Sequence, residues 1–515
     1  MNSRKKIMHI EKNNINGKSR NHNSCDVLIT DASVVIPKLG IIRTDILIEN
    51  GKIKDLRKST GNVHGSKKIN ANGKYILPGA IDPHIHYGVY TPINEAAQTE
   101  SRSAAIGGIT TVIRMLRLSG SYKNIESQLR ASKGTHHIDY SIHASILTSN
   151  QVKDIPYLKS VGINSFKIYM NLGAELKHIS MDLEPGTYDT TSEEVDMTDD
   201  LISMIMMEAG KMDSTVLVHA EDPVICSDRI RQRREIEEKE ETVNKLPNDT
   251  MKVSRLKIWS DCRPPSSEAE CIGKAAAFAN KFHPKLYFVH IGSAVAIKAI
   301  LAEKRKGNCN LFIETCPHYL THTVEFDDLK GKVVPPLRSK SDVQYMWSAL
   351  NCGIIDTIGT DHVANRLSMK VGRGDIWSAL SGFPGTATML PILLSKGVNE
   401  NRLTLEKVSE VTSYNTSRIF GLYPKKGTIQ QGSDADLTMV DLDLEQRVTP
   451  DLLQSYSDYT IYNGCRIKGW PILTMVRGQV VMSDGQITGN TLGHGEFIAR
   501  PVTNNNKNDN CNKKD

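Results

Sequence analysis

Six residues of types that bind metal ions lie at or just after the ends of short apolar runs. They are His84 and His86 in DPHIH, Lys167 in SFKIYM, His219 in VLVHAE, His290 in YFVHIGS and Asp361 in TIGTDH. Two imidazoles separated by one residue on a strand point to the same side and can bind one ion together. The two remote histidines can bind a second ion, and Asp361 can both bind an ion and carry a proton. The sequence therefore predicts a site for two divalent metal ions, with Asp361 as its catalytic residue.

Lys167 is the unusual member of this set, because an ammonium group would repel cations. Burial close to metal ions removes the proton from a lysine, and the neutral amine can react with carbon dioxide. The resulting carbamate, N6-carboxylysine, can bridge both ions. The alternative for a lysine at a strand end is a surface side chain whose amine reaches solvent.

These residues need a scaffold that brings distant strand ends together. Eight apolar, β-branched runs bounded by turn residues predict strands, at residues 75–83, 109–115, 140–147, 165–170, 215–220, 286–291, 311–316 and 354–360. Segments such as residues 268–281, rich in alanine at helical spacing, lie between most of them. Eight strand–helix units favour an α/β fold, a (β/α)8 TIM barrel whose active site lies at the carboxyl ends of the strands. An open, doubly wound sheet is the alternative.

The flanking segments have a different pattern. Residues 25–74 and 426–500 contain hairpin-like runs, with tight-turn dipeptides at Asn50-Gly51 and Asp484-Gly485. We expect both segments to pair into one small β-sandwich domain beside a barrel at residues 75–425. Residues 175–197 have the composition of an acidic loop insertion. The polar tails, residues 1–24 and 501–515, are predicted to be disordered.

Composition narrows the function classes. The 515 residues are 39% hydrophobic and 24% charged, with a formal net charge of +6 and much of the basic excess in the tails. This balance predicts no nucleic-acid partner, and no run of about 18 apolar residues predicts a membrane span. Nine cysteines, never spaced as CxxC, indicate reduced thiols rather than disulfides. With no apolar segment near the start to act as a signal peptide, a cytoplasmic protein is expected.

Over roughly residues 25–500 the chain resembles the cyclic amidohydrolases, which include hydantoinases, dihydropyrimidinases, dihydroorotases and allantoinases. The shared runs are DPHIH, GGITT at 107–111, SFKIYM, VHAE, ETCPHYL at 314–320, PPLR at 335–338 and GTDH at 359–362. The resemblance implies one ion held by His84, His86, carboxylated Lys167 and Asp361. It implies a second ion held by Lys167, His219 and His290. Zinc (Zn2+) is the expected metal, and a homo-oligomer, a dimer or tetramer, is the expected assembly.

Three further runs are typical of hydantoinases: CRPPSSEAE at 262–270, SGFPG at 381–385 and GHGEF at 493–497. Gly88 stands where a dihydroorotase would have arginine. The implied activity is opening of a hydantoin- or dihydropyrimidine-type ring by a hydroxide shared between the ions. Asp361 would move the proton, and the small cyclic amide substrate would lie against Val334, Ser381 and Gly382.

Two departures leave the substrate open. Leu172 occupies the position where hydantoinases usually have a tyrosine, and the run IRMLRLSG at 113–120 carries Arg114 and Arg117 near the predicted barrel mouth. A strand–loop salt bridge is one interpretation of these arginines. The other is that Arg117 binds an anionic group of the substrate. A dihydroorotase or allantoinase acting on a related ureide, an acyclic amidohydrolase, and a non-catalytic scaffold relative remain as alternatives.

Overall fold

The computed structural model describes residues 24–61, 63–243, 254–307 and 309–500. The predicted tails, residues 1–24 and 501–515, lie outside these ranges except for residue 24. The strands are β1 (Ser24–Ile36), β2 (Gly40–Glu49), β3 (Lys52–Arg57), β4 (His64–Asn70), β5 (Tyr75–Pro78), β6 (Ala80–His86), β7 (Ile109–Leu116), β8 (Asp139–Ser145), β9 (Ser165–Tyr169), β10 (His178–Ser180), β11 (Ser192–Glu194), β12 (Thr215–His219), β13 (Lys285–Phe288), β14 (Leu311–Thr315), β15 (Thr357–Ile358), β16 (His362–Val363), β17 (Leu437–Arg447), β18 (Arg466–Val476), β19 (Gln479–Ser483) and β20 (Gln486–Ile487).

The helices mostly lie between the strands of the central region. They are α1 (Ile93–Ile106), α2 (Ile125–Ser132), α3 (Ser149–Val152), α4 (Ile155–Ser160), α5 (Asp199–Lys211), α6 (Pro223–Val243), α7 (Arg255–Cys262), α8 (Pro265–Phe282), α9 (Ala294–Arg305), α10 (Lys340–Asn351), α11 (Leu367–Lys370), α12 (Met389–Ile392), α13 (Leu405–Ser409), α14 (Asn415–Ile419) and α15 (Pro450–Leu453). None of these described helices is long and apolar enough to cross a lipid bilayer.

The central sheet is parallel and closed. Its order follows the chain through β6, β7, β8, β9, β12, β13 and β14, after which β15 pairs with β14 and β16 pairs with β6. The segment 357–363 therefore joins the seventh strand back to the first. Strands β6 to β9 and β12 are buried along their whole length, as a barrel covered by helices requires. The predicted (β/α)8 TIM barrel is confirmed, and the open sheet is wrong.

Both ends of the described chain build a second sheet. Its order is β20-β19-β18-β17-β5-β1-β2-β3, with β4 beside β1, so residues from before and after the barrel pair directly. The Asn50-Gly51 and Asp484-Gly485 turns both have positive φ at each residue, as tight hairpin turns need. The aliphatic side chains of Ile29, Ile46 and Met475 lie in the core of this sheet. The predicted β domain made from both chain ends is thereby confirmed.

The structure differs from the predicted strands at three places. Residues 75–83 form two strands: β5 belongs to the second sheet, and β6 begins the barrel. Gly79 lies between the two strands. Only glycine fits there, because a Cβ would lie 2.2 Å from Thr110 Oγ1. The predicted eighth strand shortens to β15 because the chain turns at residues 359–361 before pairing again as β16. The acidic insertion is not only a loop, since β10 and β11 pair into a small antiparallel hairpin.

Candidate active site

All six predicted ligands lie at the carboxyl end of the barrel. His84 and His86 are among the last three residues of β6, Lys167 is in β9, and His219 ends β12. His290 follows β13 by two residues, and Asp361 lies between β15 and β16. Strands β9 and β12 are adjacent, with Leu217 opposite Lys167 in the ladder. The closed parallel sheet therefore converts six positions spread over 278 residues of sequence into one cluster.

His84, His86 and Asp361 form the tightest part of the cluster. The Nε2 atoms of the two histidines lie 3.3 Å apart, and Oδ1 of Asp361 is 3.2 Å from each of them. All three side chains are almost fully buried. Two ring nitrogens and a carboxylate oxygen converging at one point match the donor atoms that zinc and related divalent ions take.

Two buried carboxylates hold this corner in place. Glu314 Oε1 accepts a hydrogen bond from His84 Nδ1 at 2.8 Å, which leaves the Nε2 lone pair of His84 directed at Asp361. Asp82 accepts from the backbone N–H of His84 at 3.2 Å and from that of Thr360 at 3.1 Å. Strand β6 and the turn that carries Asp361 are thus tied to the same carboxylate.

His219 and His290 form the other side of the cluster. Their ring centroids are 4.5 Å apart, and the His290 ring stacks on His84 with centroids 5.4 Å apart. Nε2 of His219 lies 2.7 Å from Glu221 Oε2, and Glu221 in turn accepts two hydrogen bonds from Arg263. Burial alone would raise the pKa of Glu221, but the charges and hydrogen bonds of Arg263 and His219 together lower it to about 2. An ionised carboxylate therefore orients the His219 ring.

Two of the clustered residues adopt a strained backbone conformation. His290 has φ of 43° and Asp361 has φ of 50°, in the left-handed region that side chains other than glycine rarely adopt. Such strain persists only where the surroundings enforce it, and it concentrates at functional sites. The backbone N–H of His290 donates to Glu314 Oε1 at 3.0 Å, so the same carboxylate that orients His84 also enforces this bend.

Lys167 is fully buried between β8 and β12, and its Nζ has no hydrogen-bond partner among the described residues. Burial lowers its pKa to about 7, against the opposing effect of the nearby Asp361 and Glu314 charges. Burial likewise raises the pKa of Glu314 to about 8. Burial therefore disfavours the charged form of both Lys167 and Glu314. Bound cations would favour the ionised form of the carboxylate again.

The donor atoms fit a metal centre. The Nδ1 atoms of His86 and His290 are buried without a hydrogen-bond partner in the described chain, as is Nζ of Lys167. Burial also holds the pKa of His84 at about 3 and that of His290 well below its usual value. Neutral imidazoles with free lone pairs are the form that binds metal ions. Burying the unpaired amine of Lys167 costs free energy, and a carbamate on it bound to the ions would remove that cost.

A cavity of about 450 Å³ opens directly above the cluster. Val334, Ser381, Gly382 and Arg117, the four residues expected to contact substrate, all line it, together with the six ligand-type residues. Leu172 also lines it, so this position presents an apolar surface where a hydroxyl was expected. The volume suits a small ring with a substituent rather than a macromolecule.

The buried Lys370 holds the loop that carries Ser381 and Gly382. Lys370 Nζ donates to the backbone carbonyls of Lys332, Leu380 and Gly382 at 2.6, 2.6 and 2.7 Å. The backbone N–H of Gly382 donates back to the Lys332 carbonyl at 3.0 Å. Because the loop is held by one ammonium at several points, its free backbone groups keep a fixed position at the cavity wall.

Sequence reasoning missed several residues of this site. Glu314 and Glu221 orient the histidines, and Tyr90, Trp259 and Arg263 line the cavity. Glu221 lies two residues beyond His219, so both side chains leave the barrel on the same side and a polar pair was foreseeable. Glu314 acts on a histidine 230 residues earlier in the chain, and no local pattern indicates that contact.

Comparison with known proteins agrees with this geometry. The sequence profile of the amidohydrolase family matches residues 75–481. The chain is 30% identical to the L-hydantoinase of Paenarthrobacter aurescens, over 92% of this chain and 98% of that protein. It is 28% identical to the D-hydantoinase of Ralstonia pickettii, over 92% and 99%.

Solved structures give the same grouping. The L-hydantoinase (dihydropyrimidinase) of Arthrobacter aurescens superposes with a TM-score of 0.81 at 28% identity, covering 92% of this chain and 100% of that one. The dihydropyrimidinase of Brevibacillus agri gives 0.80 at 27% identity, covering 92% and 98%. A profile match over more than three quarters of the chain, together with relatives aligned along their whole length, shows that this protein belongs to the amidohydrolase family.

Proposed function

We propose that this protein is a metal-dependent hydrolase that opens the ring of a small cyclic amide of the hydantoin or dihydropyrimidine type. The observation that carries the proposal is the convergence of six ligand-type side chains, several with unpaired buried donor atoms, beneath a cavity of about 450 Å³. The full-length likeness to proteins named hydantoinases supports the reaction class.

The proposed ligands are shared between two ions. His84, His86, carboxylated Lys167 and Asp361 would hold one, and Lys167, His219 and His290 the other, with Zn2+ as the favoured metal. When bound, the ions would polarise the ring carbonyl and make a water molecule acidic enough to act as nucleophile. Lys167 suits a carbamate because its amine is buried, unpaired and adjacent to histidines, and its lowered pKa supplies the neutral form that reacts with carbon dioxide.

The side chains of the protein supply the remaining steps. Asp361 accepts the proton of the attacking water and returns it to the departing ring nitrogen, since it lies against both His84 and His86 at the base of the cavity. Backbone groups near Val334 and Ser381 orient the ring, in a loop that Lys370 holds rigid. The apolar wall formed by Leu172 excludes water from one side of the substrate. The product is an N-carbamoyl amino acid.

Metal analysis and a substrate panel test the proposal. The purified protein, loaded with zinc in the presence of bicarbonate, is expected to bind about two ions per chain and to hydrolyse hydantoin or dihydrouracil faster than dihydroorotate or allantoin. Lys167→Ala should retain fewer ions, and added short-chain carboxylic acids should restore part of the activity by replacing the carbamate. Asp361→Asn should lose turnover by about 10³-fold or more.

The outcomes separate the alternatives. Preferred turnover of dihydroorotate or allantoin would replace the substrate and keep the site. Two bound ions with no turnover of any of the four rings would overturn the cyclic ureide assignment in favour of another amide. Absence of metal binding even with bicarbonate would overturn the enzyme and favour a non-catalytic role. Cytoplasmic localisation and a homo-oligomeric state, dimer or tetramer, belong to the same proposal and are tested by cell fractionation and by light scattering.

A further inference from the structure

The two arginines near the barrel mouth have different roles. Arg114 is buried in β7, its Nη2 lies 2.6 Å from Asp182 Oδ1, and its guanidinium lies over the ring of Tyr87. A Cβ at Gly88 would lie 2.8 Å from Arg114 Nη2, so glycine at this position gives the ion pair its space. Arg114 therefore forms the strand–loop salt bridge, and its charge is neutralised.

Arg117 is anchored by its backbone and leaves its side chain for the cavity. Its N–H donates to Asp182 Oδ2 at 2.7 Å, and its carbonyl accepts from the N–H of Asp182 at 3.0 Å. The guanidinium Nε is 3.7 Å from Asp182 Oδ2, beyond hydrogen-bond distance, and it has no partner among the described residues although it is buried. One carboxylate thus faces two guanidinium groups, and the second positive charge is not balanced by a hydrogen-bonded partner.

The other charged residues that line the cavity are already engaged. Arg263 donates two hydrogen bonds to Glu221, and Glu175 pairs with Arg231 at 3.0 Å. Lys167 and Asp361 belong to the proposed metal centre. Within the described part of the lining, Arg117 is accordingly the cation outside that centre whose hydrogen-bonding capacity is unused.

Arg117 also lies close enough to act on a molecule bound at the cluster. Arg117 lines the same cavity as His86 and Asp361, so a small molecule bound over the cluster can contact its guanidinium. Burial raises the pKa of Tyr90, which lines the same cavity, while the charge of Arg117 opposes that rise. Tyr90 and Ser180 both line the cavity, so hydroxyl groups accompany the guanidinium at its wall.

We infer that the substrate of this site carries an anionic substituent, a carboxylate on a short side chain of the ring, which Arg117 binds. This inference rests on the proposed function, since it specifies the substrate class of the same cavity. A buried guanidinium with free donors binds a carboxylate through charge-assisted and often paired hydrogen bonds. A neutral ring substituent would leave that charge and those donors unpaired, which disfavours its binding.

The test uses two pairs of hydantoins that match in size and differ in charge. They are 5-(2-carboxyethyl)- with 5-(2-carbamoylethyl)hydantoin and 5-carboxymethyl- with 5-carbamoylmethylhydantoin. The zinc-loaded wild-type enzyme is expected to favour the carboxylate over the amide at least tenfold in kcat/KM, in one pair or both. In Arg117→Gln this ratio should fall at least tenfold, and Arg117→Lys should keep part of it.

Lys177→Gln is the matched control, because Lys177 is a half-exposed cation on the loop beside the cavity and lies outside its lining. It removes the same charge and is expected to leave the ratio within twofold, which separates direct binding from long-range steering. Thermal unfolding of each variant checks that the fold is intact. An equal loss for both members of each pair in Arg117→Gln, or a ratio lowered as much by Lys177→Gln, would overturn the inference.

Failure of the proposed function has a different signature. If no cyclic amide is hydrolysed, calorimetric binding of the same pairs to the zinc-loaded protein still measures the preference for a carboxylate. Tighter binding of the carboxylate to wild type, reduced at least tenfold by Arg117→Gln, would support the inference while the hydrolytic reaction is rejected. Equal binding of both members would overturn the inference.

Discussion

Glu314 connects more parts of the site than any one ligand does. Its Oε1 accepts from His84 Nδ1 and from the backbone N–H of His290, and its Oε2 accepts from the Tyr287 hydroxyl at 2.9 Å. Glu314→Gln keeps the volume but replaces one acceptor oxygen by a donor amide, so at least one of these three donors loses its partner. Loss of such a carboxylate behind a metal-binding histidine lowers metal affinity by about 10- to 100-fold, or about 1.4 to 2.8 kcal/mol.

The assay is metal retention during dialysis against a graded series of chelator concentrations, with metal content measured at each step. Glu314→Gln should lose its ions at a chelator concentration lower by that factor, and kcat should fall with occupancy. Tyr287→Phe is the control: it removes only the hydroxyl contact, leaves the bond to His84 intact, and should cost about 1 kcal/mol of stability with little change in retention. Equal retention in wild type and Glu314→Gln would refute the view that this carboxylate sets the orientation of His84.

Three further predictions concern the scaffold around the site. Lys370→Met removes two hydrogen bonds to the 380–382 loop and one to the Lys332 carbonyl. It should destabilise the protein by about 3 kcal/mol in urea unfolding and raise KM about tenfold, whereas Lys340→Met at an exposed position should do neither. Gly359→Ala places a Cβ 2.5 Å from Glu314 Oε2 and 3.0 Å from His84 Cβ, so chelator should strip its metal more readily, while Gly273→Ala, with open space in α8, should match or exceed wild-type stability. Burial lowers the pKa of His136 and of His318 to about 3, so the unfolded chain binds protons that the folded chain does not as pH falls from about 6.5 toward 3. The free energy of unfolding of the protein freed of metal by chelator should therefore decrease steadily as pH is lowered from 7 to 4. A value that stays constant or increases as pH is lowered would contradict the buried, neutral state of these histidines.

The barrel could be predicted because its signals are local. The barrel strands are short runs rich in apolar and β-branched residues, and each predicted ligand lies within two residues of the carboxyl end of one or in the turn after it. Strand order therefore brings the ligands to one mouth. The eighth strand was harder, because its pairing is divided between Thr357–Ile358 and His362–Val363. The turn between them gives Asp361 its left-handed conformation, which the run TIGTDH does not reveal without tertiary contacts.

The roles of Arg114 and Arg117 could be predicted only in part from the sequence. Arg114 and Arg117 are three residues apart, and an odd spacing on a strand directs side chains to opposite faces, so a difference between them could be foreseen. The sequence names Arg117 as the candidate for substrate binding, but the contact that positions it could not be foreseen, because Arg117 lies just beyond the last residue of β7 and its position depends on Asp182. Asp182 lies in the insertion after β9, a segment whose sequence indicates a loop and gives no contact. Asp182 forms the ion pair with Arg114 and holds the backbone of Arg117, whose side chain faces the cavity. Only the folded chain reveals this role of Asp182. The metal-binding motifs are complete in this chain whether or not Arg117 binds an anionic group. The charge of the substrate in this family therefore cannot be inferred from those motifs alone.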